Sequence, residues 1–188
     1  MSECRKDNLA HFAVTVISKD RPGIVADITE VLFRLGCNIE DSSCTMLGGD
    51  FAIILIVSHA RPFAKSRLIE EFKVLHERTG LTTYVRHLTE EEICPVQGEG
   101  ELCLISVYGS DQPGIVYRVT RALADRKVNI TDLNTRLIGT REEPVYVMML
   151  EAILPDGMTV EEAGNFLENL KKELKVEIAV RSITPVSL

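Results

Sequence analysis

The chain has 188 residues, of which 45% are apolar and 26% charged. That balance excludes wholesale disorder and leaves room for one medium domain or two small ones. Aromatics amount to 5%, Trp is absent and the formal net charge is −7, so the core must be aliphatic, and direct nucleic-acid binding, which wants a basic excess or stripe, is not expected.

In chain order, Phe12 to Ile17 is a short apolar, β-branched run that reads as a buried strand. Pro22 then suits the first turn of a helix. Ile24, Ile28, Val31, Leu32 and Leu35 follow helical spacing, and Gly36 is a plausible C-terminal cap. Asn38 to Leu47 and Phe51 to Val57 read as a hairpin joined by Gly48-Gly49-Asp50. A second helix carries Leu68, Phe72 and Leu75 on one face, and a last strand runs near Thr82 to Leu88.

The order then starts again. Leu102 to Tyr108 reads as a strand, and Pro113 precedes a helical stripe of Ile115, Val119, Ala122 and Leu123. Arg126 and Lys127 suit the negative end of that helix. Asn129 to Ile138 and Val145 to Leu154 form a second hairpin with a slightly longer turn. Thr159 and Glu162 supply a capping-box start for a helix with Val160, Ala163, Leu167, Leu170 and Leu174 on one stripe. Val176 to Ile183 closes the pattern.

A shift of 91 residues lays Asp20-Arg21-Pro22-Gly23-Ile24-Val25 over Asp111-Gln112-Pro113-Gly114-Ile115-Val116, and Asn38-Ile39 over Asn129-Ile130. From Val16 to Gly48 there are twelve identities in 33 gapless positions, which marks an internal duplication. The expected fold class is α+β: two ferredoxin-like βαββαβ units in tandem, each an antiparallel sheet with helices on one face. The expected domains are 8–89 and 101–188, with 90–100, rich in Glu and Gly, as linker.

The plan alone does not fix a function. The central strands lack the stacking aromatics of an RNA-recognition module, the first loop lacks the cysteine pair of a copper chaperone, and the single Arg21 is no acylphosphatase phosphate loop. The D-x-P-G-I-V after each first strand and the N-I opening each second strand resemble the ACT domain, over nearly the whole of 10–183. Gly36-Cys37-Asn38-Ile39-Glu40-Asp41-Ser42 followed by Met46-Leu47-Gly48 resembles the glycine cleavage system transcriptional repressors most. The N-terminal ACT module of formyltetrahydrofolate deformylases is also similar in this stretch. The resemblance implies ligands seated where two such domains meet side by side, between this loop and the Asn.

The candidate ligand-binding residues are Asp20, Arg21, Pro22, Gly23 and Asn38 in the first copy, and Asp111, Gln112, Gly114 and Asn129 in the second. A strand-to-helix turn leaves amides that bind a carboxylate. Gly23 and Gly114 allow close approach of ligand or backbone. Asp20 and Asp111 can accept from an ammonium, and Asn38 and Asn129 can both donate and accept. The competing structural readings are that the aspartates cap a helix and the asparagines serve a turn. Ile24, Val25, Ile115 and Val116 read as core.

Asp41 and Asp132 read as one structural role used twice, Glu90-Glu91-Glu92 as solvated linker, and Lys171-Lys172 as a solvated helix face. The five cysteines, Cys4, Cys37, Cys44, Cys94 and Cys103, read as free thiols in a reducing cytoplasm. The four histidines, His11, His59, His76 and His87, lack metal-ligand spacing. No apolar run reaches the length of a membrane span. No nucleophile with a base, metal set or phosphate loop stands out, so no enzyme and no cofactor are expected. The expected partners are a small amino-acid effector and a protein such as a transcription factor, with a homodimer as the assembly. The alternative is a ligand-free oligomerisation or protein-interaction module.

Overall fold

The computed structural model describes residues 9–93, 100–140 and 144–183. The chain divides into two compact units, 1–95 and 96–188. In the first, β1 (Leu9–Lys19), α1 (Ile24–Arg34), β2 (Asn38–Leu47), β3 (Asp50–Ala60), α2 (Lys65–Thr79) and β4 (Thr82–His87) follow in order, with a single helical turn, α3 (Glu90–Ile93), after them. The second contains β5 (Leu102–Gly109), α4 (Ile115–Asp125), β6 (Asn129–Gly139), β7 (Pro144–Ile153), α5 (Val160–Leu174) and β8 (Val176–Ser182). The sheets run β2-β3-β1-β4 and β6-β7-β5-β8, and every recorded pairing is antiparallel. Each unit is thus a ferredoxin-like α+β module.

The first strand of each unit is buried on one face only. Ala10, Phe12, Val14 and Val16 point to the helices and are buried, while the residues between them are not. Period two along the pleat sets which residues of the apolar run face the core. Ile17 and Ile54 lie half exposed on the helix-free side. The helices close the other side with the expected stripes: Ile24, Ile28, Val31 and Leu32 on α1, Leu68, Phe72 and Leu75 on α2. In the second unit Ile115, Val119 and Leu123 do the same, with Ala163, Leu167 and Leu174 opposite. Each fully buried side chain of this kind contributes about 1.5–3 kcal/mol relative to exposure.

Both α1 and α4 end in a Schellman motif. The amides of Gly36 and Cys37 donate to the carbonyls of Phe33 and Leu32, and those of Lys127 and Val128 to Ala124 and Leu123. Gly36 takes the left-handed conformation at φ 72°, and Lys127 takes it at φ 59° despite its side chain. Lys127 therefore lies beyond the helix rather than in its last turn, and Arg126 stacks on the Phe166 ring, 5.3 Å from its centroid. Thr159 and Glu162 form the reciprocal capping box.

Two expectations are corrected near the boundary and on α5. Glu92 is not merely a solvated linker charge. It accepts from the Thr89 amide and pairs with Arg86, and those bonds hold its carboxyl below the usual range, the Thr89 bond foremost. Lys171 is no free surface cation either: it reaches Glu177 on β8 at 2.8 Å, which pushes its ammonium up, with Glu168 adding to the effect.

Candidate functional site

The loop after the first strand is built the same way twice. Pro22 at the second and Gly23 (φ 84°, ψ −1°) at the third place of Arg21–Ile24 are the residues a type II turn wants. The helix begins only at Ile24, two residues past the proline, because Gly23 in the left-handed region is its N-cap. Gly114 (φ 97°, ψ −4°) caps α4 identically. Proline therefore sits in the turn and not in the first helical turn as expected. Capping by Asp20 or Asp111 is also ruled out, because a glycine cap carries no side chain and none bonds at either helix start. Nor does close approach within the module demand the glycines: a Cβ at Gly114 would meet open space, and at Gly23 only Arg21 Nη1 at 3.9 Å. Positive φ demands them.

An uncapped helix start leaves donors. Among the described residues the amides of Val25 and Ala26 in the first loop, and of Ile115, Val116 and Tyr117 in the second, meet no acceptor. They point out of the positive end of a helix, where a carboxylate is favoured. The two loops differ in charge. In the first, Arg21 folds back onto the Asp27 carboxylate and the Pro22 carbonyl, so its charge is satisfied internally. In the second, the first turn of α4 has no acidic residue, and Gln112 donates from Nε2 to the Leu174 carbonyl at 2.5 Å, tying the loop to the end of α5. Arg21 and Gln112 thus hold their loops together. Asp20 and Asp111 are exposed, with no side-chain hydrogen bond among the described residues. The Asp20 amide donates to Gly49 at 3.1 Å, which seats the loop beside the β2–β3 turn.

Asn38 and Asn129 lie elsewhere. Each opens its strand, opposite Ser58 and Ile153 respectively, and each is exposed. Lys19, at the loop end, pairs with Asp50. From Asp50 to Ser58 along β3 is ~27 Å at strand rise. Within one module, loop and asparagine stand at opposite ends and do not converge.

Sequence reasoning missed the surface beside Asn38. Ala26, Thr29 and Phe33 of α1 and Cys37 and Ile39 line an apolar concavity of about 480 Å³. Phe33 is 82% exposed. The signal was present: Phe33 falls outside the stripe of Ile24, Ile28, Val31 and Leu32, and a large aromatic there has no core to enter. Along this side β2 is an edge strand exposed throughout, with a bulge at Glu40, and β6 repeats the bulge at Thr131. Burial pushes the Cys37 thiol up, partly offset by Arg67. Cys44 is exposed and Cys103 buried; Cys4 and Cys94 lie outside the described residues. No group of three His, Cys, Asp or Glu able to hold a metal, and no helix long and apolar enough to cross a membrane, occurs among the described residues.

The ACT domain model matches this chain twice, over residues 10–86 and 101–180. The glycine cleavage system transcriptional repressor of Escherichia coli is 30% identical over 127 residues, 67% of this chain and 64% of that protein; the match thus spans just under two thirds of the relative's length. A UPF0237 protein of Methanopyrus kandleri is 41% identical over 75 residues, 39% of this chain and 83% of its own. Among solved structures, an unknown protein from Galdieria sulphuraria superposes with a TM-score of 0.79 at 27% identity, covering 94% of this chain and 99% of that one.

Proposed function

The chain belongs to the ACT-domain family, and from that premise we propose that it is a regulatory protein that senses a small α-amino acid. Glycine, or an amino acid close to it in size, is the effector. The observation that carries this reading is the pair of uncapped helix starts, whose unclaimed amides face outward beside an exposed Asp20 or Asp111. A zwitterion needs such a set: amide donors for its carboxylate and an acceptor for its ammonium. Asn38 or Asn129 can join only from a second ACT module, because in one module it stands ~27 Å from the loop. A bound effector thereby favours one packing of modules over another and shifts the population of an exposed surface.

The readout is control of transcription of a glycine-cleavage pathway through a protein partner such as a transcription factor, with no direct contact to nucleic acid, in the cytoplasm and without catalysis. Support comes from the repressor of Escherichia coli, 30% identical over 127 residues, and from a formal net charge of −7, which disfavours a phosphate backbone. A second reading, a homo-oligomerising module without effector, draws on the exposed Phe33 and the fully exposed edge strand β2.

A thermal-shift screen of the full chain against the twenty amino acids separates the two. A ligand at a hundredfold its Kd adds about 2.7 kcal/mol, which is several degrees. One responding amino acid supports the sensor. Silence across the panel, with self-association retained, supports the second reading.

A further inference from the structure

The first module carries a groove at the sheet edge opposite β2 and Asn38, between α2 and the edge strand β4. Its volume is about 450 Å³. Lys65, Ile69, Lys73 and His76 line it from the helix, and residues of both parities, Thr82, Thr83, Tyr84 and Val85, line it from the strand. Residues of both parities can share one wall only if that wall is the backbone edge itself.

The edge is unpaired among the described residues and its register is known. Leu88 donates its amide to His11, so along this antiparallel pair Arg86, Tyr84 and Thr82 turn their amides and carbonyls toward β1. Thr83, Val85 and His87 therefore turn theirs outward, where β4 has no neighbouring strand among the described residues. The Thr83 hydroxyl is buried and has no hydrogen-bond partner among the described residues. The rim is basic. Lys65 and Lys73 have no acidic partner among the described residues. His76 donates from Nδ1 to the Leu81 carbonyl at 2.5 Å, which fixes the ring and leaves Nε2 unclaimed. The floor between the cations is apolar: Ile69, Phe72 and Val85.

The second module lacks this arrangement. The residues matching Ile69 and His76 in helix position are Gly164 and Lys171, and Glu177 matches Thr82 in sheet register, opposite Tyr108 as Thr82 is opposite Ile17. There Lys171 and Glu177 join helix to strand across the gap.

We propose that the groove of the first module receives an extended segment of a partner protein, added as a fifth strand beside β4. From Lys65 to His76 the helix rises ~16 Å, the length of about five extended residues. Alternate side chains enter the groove, so three do: an acidic one toward Lys65, an apolar one onto Ile69 and Phe72, and an acidic one toward Lys73 and His76. The recognised pattern is acidic-x-apolar-x-acidic, held by backbone bonds to Thr83, Val85 and His87, with the side chains setting specificity. This surface belongs to α2 and β4 and not to the effector loops, so its test and the effector screen succeed or fail separately.

The test uses the full chain, ¹⁵N-labelled, and an array of capped peptides with Glu or Asp at the outer groove positions and varied apolar residues at the centre. Strand addition predicts that at least one peptide, at up to millimolar concentration, shifts the Thr83, Val85 and His87 amides and protects them from hydrogen exchange. Methylating the peptide amides that face β4 weakens binding by about tenfold or more. The double variant Lys65→Glu/Lys73→Glu, with an unchanged melting temperature, loses the acidic peptide and gains its Lys-substituted counterpart. Three results overturn the proposal: no peptide moves those amides, the methylated peptide binds as well as its parent, or the charge reversal leaves affinity unchanged. The second would mean side-chain capture without strand addition.

Discussion

The duplicated chain offers an internal control on backbone strain. Gly36 and Lys127 occupy the same place after α1 and α4, both left-handed, both within a Schellman motif. A side chain in that conformation costs about 1–2 kcal/mol, and glycine gives back roughly 0.5–1 through its freer unfolded chain. The net is about 0.5–1 kcal/mol in favour of glycine. Gly36→Ala adds no clash, since its Cβ would meet only His59 Nε2 at 3.7 Å. It should destabilise the first module by about 1 kcal/mol, or about 4–8 °C for a unit of this size. Lys127→Gly should stabilise the second by about 0.5 kcal/mol, because losing an ammonium near a helix C-terminus subtracts a few tenths. Hydrogen exchange read by mass spectrometry on peptides from α1 and α4 reports the two modules separately. A less stable Lys127→Gly, or a neutral Gly36→Ala, would refute the strain argument.

Other outcomes follow from the same structure. Thr159→Ala removes the capping box of α5 and should cost about 1 kcal/mol, with Thr159→Ser restoring most of it in a urea melt; equal stability of both variants would contradict the cap. Of Cys37, Cys44 and Cys103, alkylation mapped by peptide mass should reach Cys44 first, Cys37 more slowly because burial raises its thiol, and Cys103 only on unfolding; early labelling of Cys103 would contradict its burial. The Glu92 carboxyl is lowered in the fold, so its bonds support the α3 turn above the ordinary carboxylate range and are lost as pH falls through the lowered value. Carboxyl ¹³C titration should therefore find Glu92 below the ordinary carboxylate range, and Arg86→Ala should move it up; a Glu92 carboxyl inside that range would contradict the bonds.

The order of strands and helices along the chain and the helical stripes were legible because each rests on local period, two along a strand and 3.6 along a helix, and the repeat because it restates that order 91 residues on. The hairpin turn at Gly48-Gly49, both at positive φ, was legible for the same reason. What escaped reading depends on topology. Nothing local says that α1 carries the chain to the end of the module far from Asp20, where Asn38 opens β2, so two neighbouring motifs in sequence became two separate surfaces. Pro22 suggested a helix start, but Gly23 at positive φ moved the start by two residues. Arg21 and Gln112 looked alike by repeat, yet they bond to Asp27 and to the Leu174 carbonyl, partners no spacing rule supplies. The groove beside β4 was invisible for want of a known sheet edge.

The central claim is that the uncapped helix starts hold the carboxylate of an amino acid. The most direct measurement is a titration of the ¹⁵N-labelled full chain with glycine and with each amino acid that shifts its melting temperature, repeated on Asn38→Ala and Asn129→Ala. The account predicts saturable shifts centred on the amides of Val25 and Ala26 or of Ile115, Val116 and Tyr117, weakened in one of the asparagine variants. Saturable shifts elsewhere with those amides unmoved, or no shift for any amino acid, would contradict it.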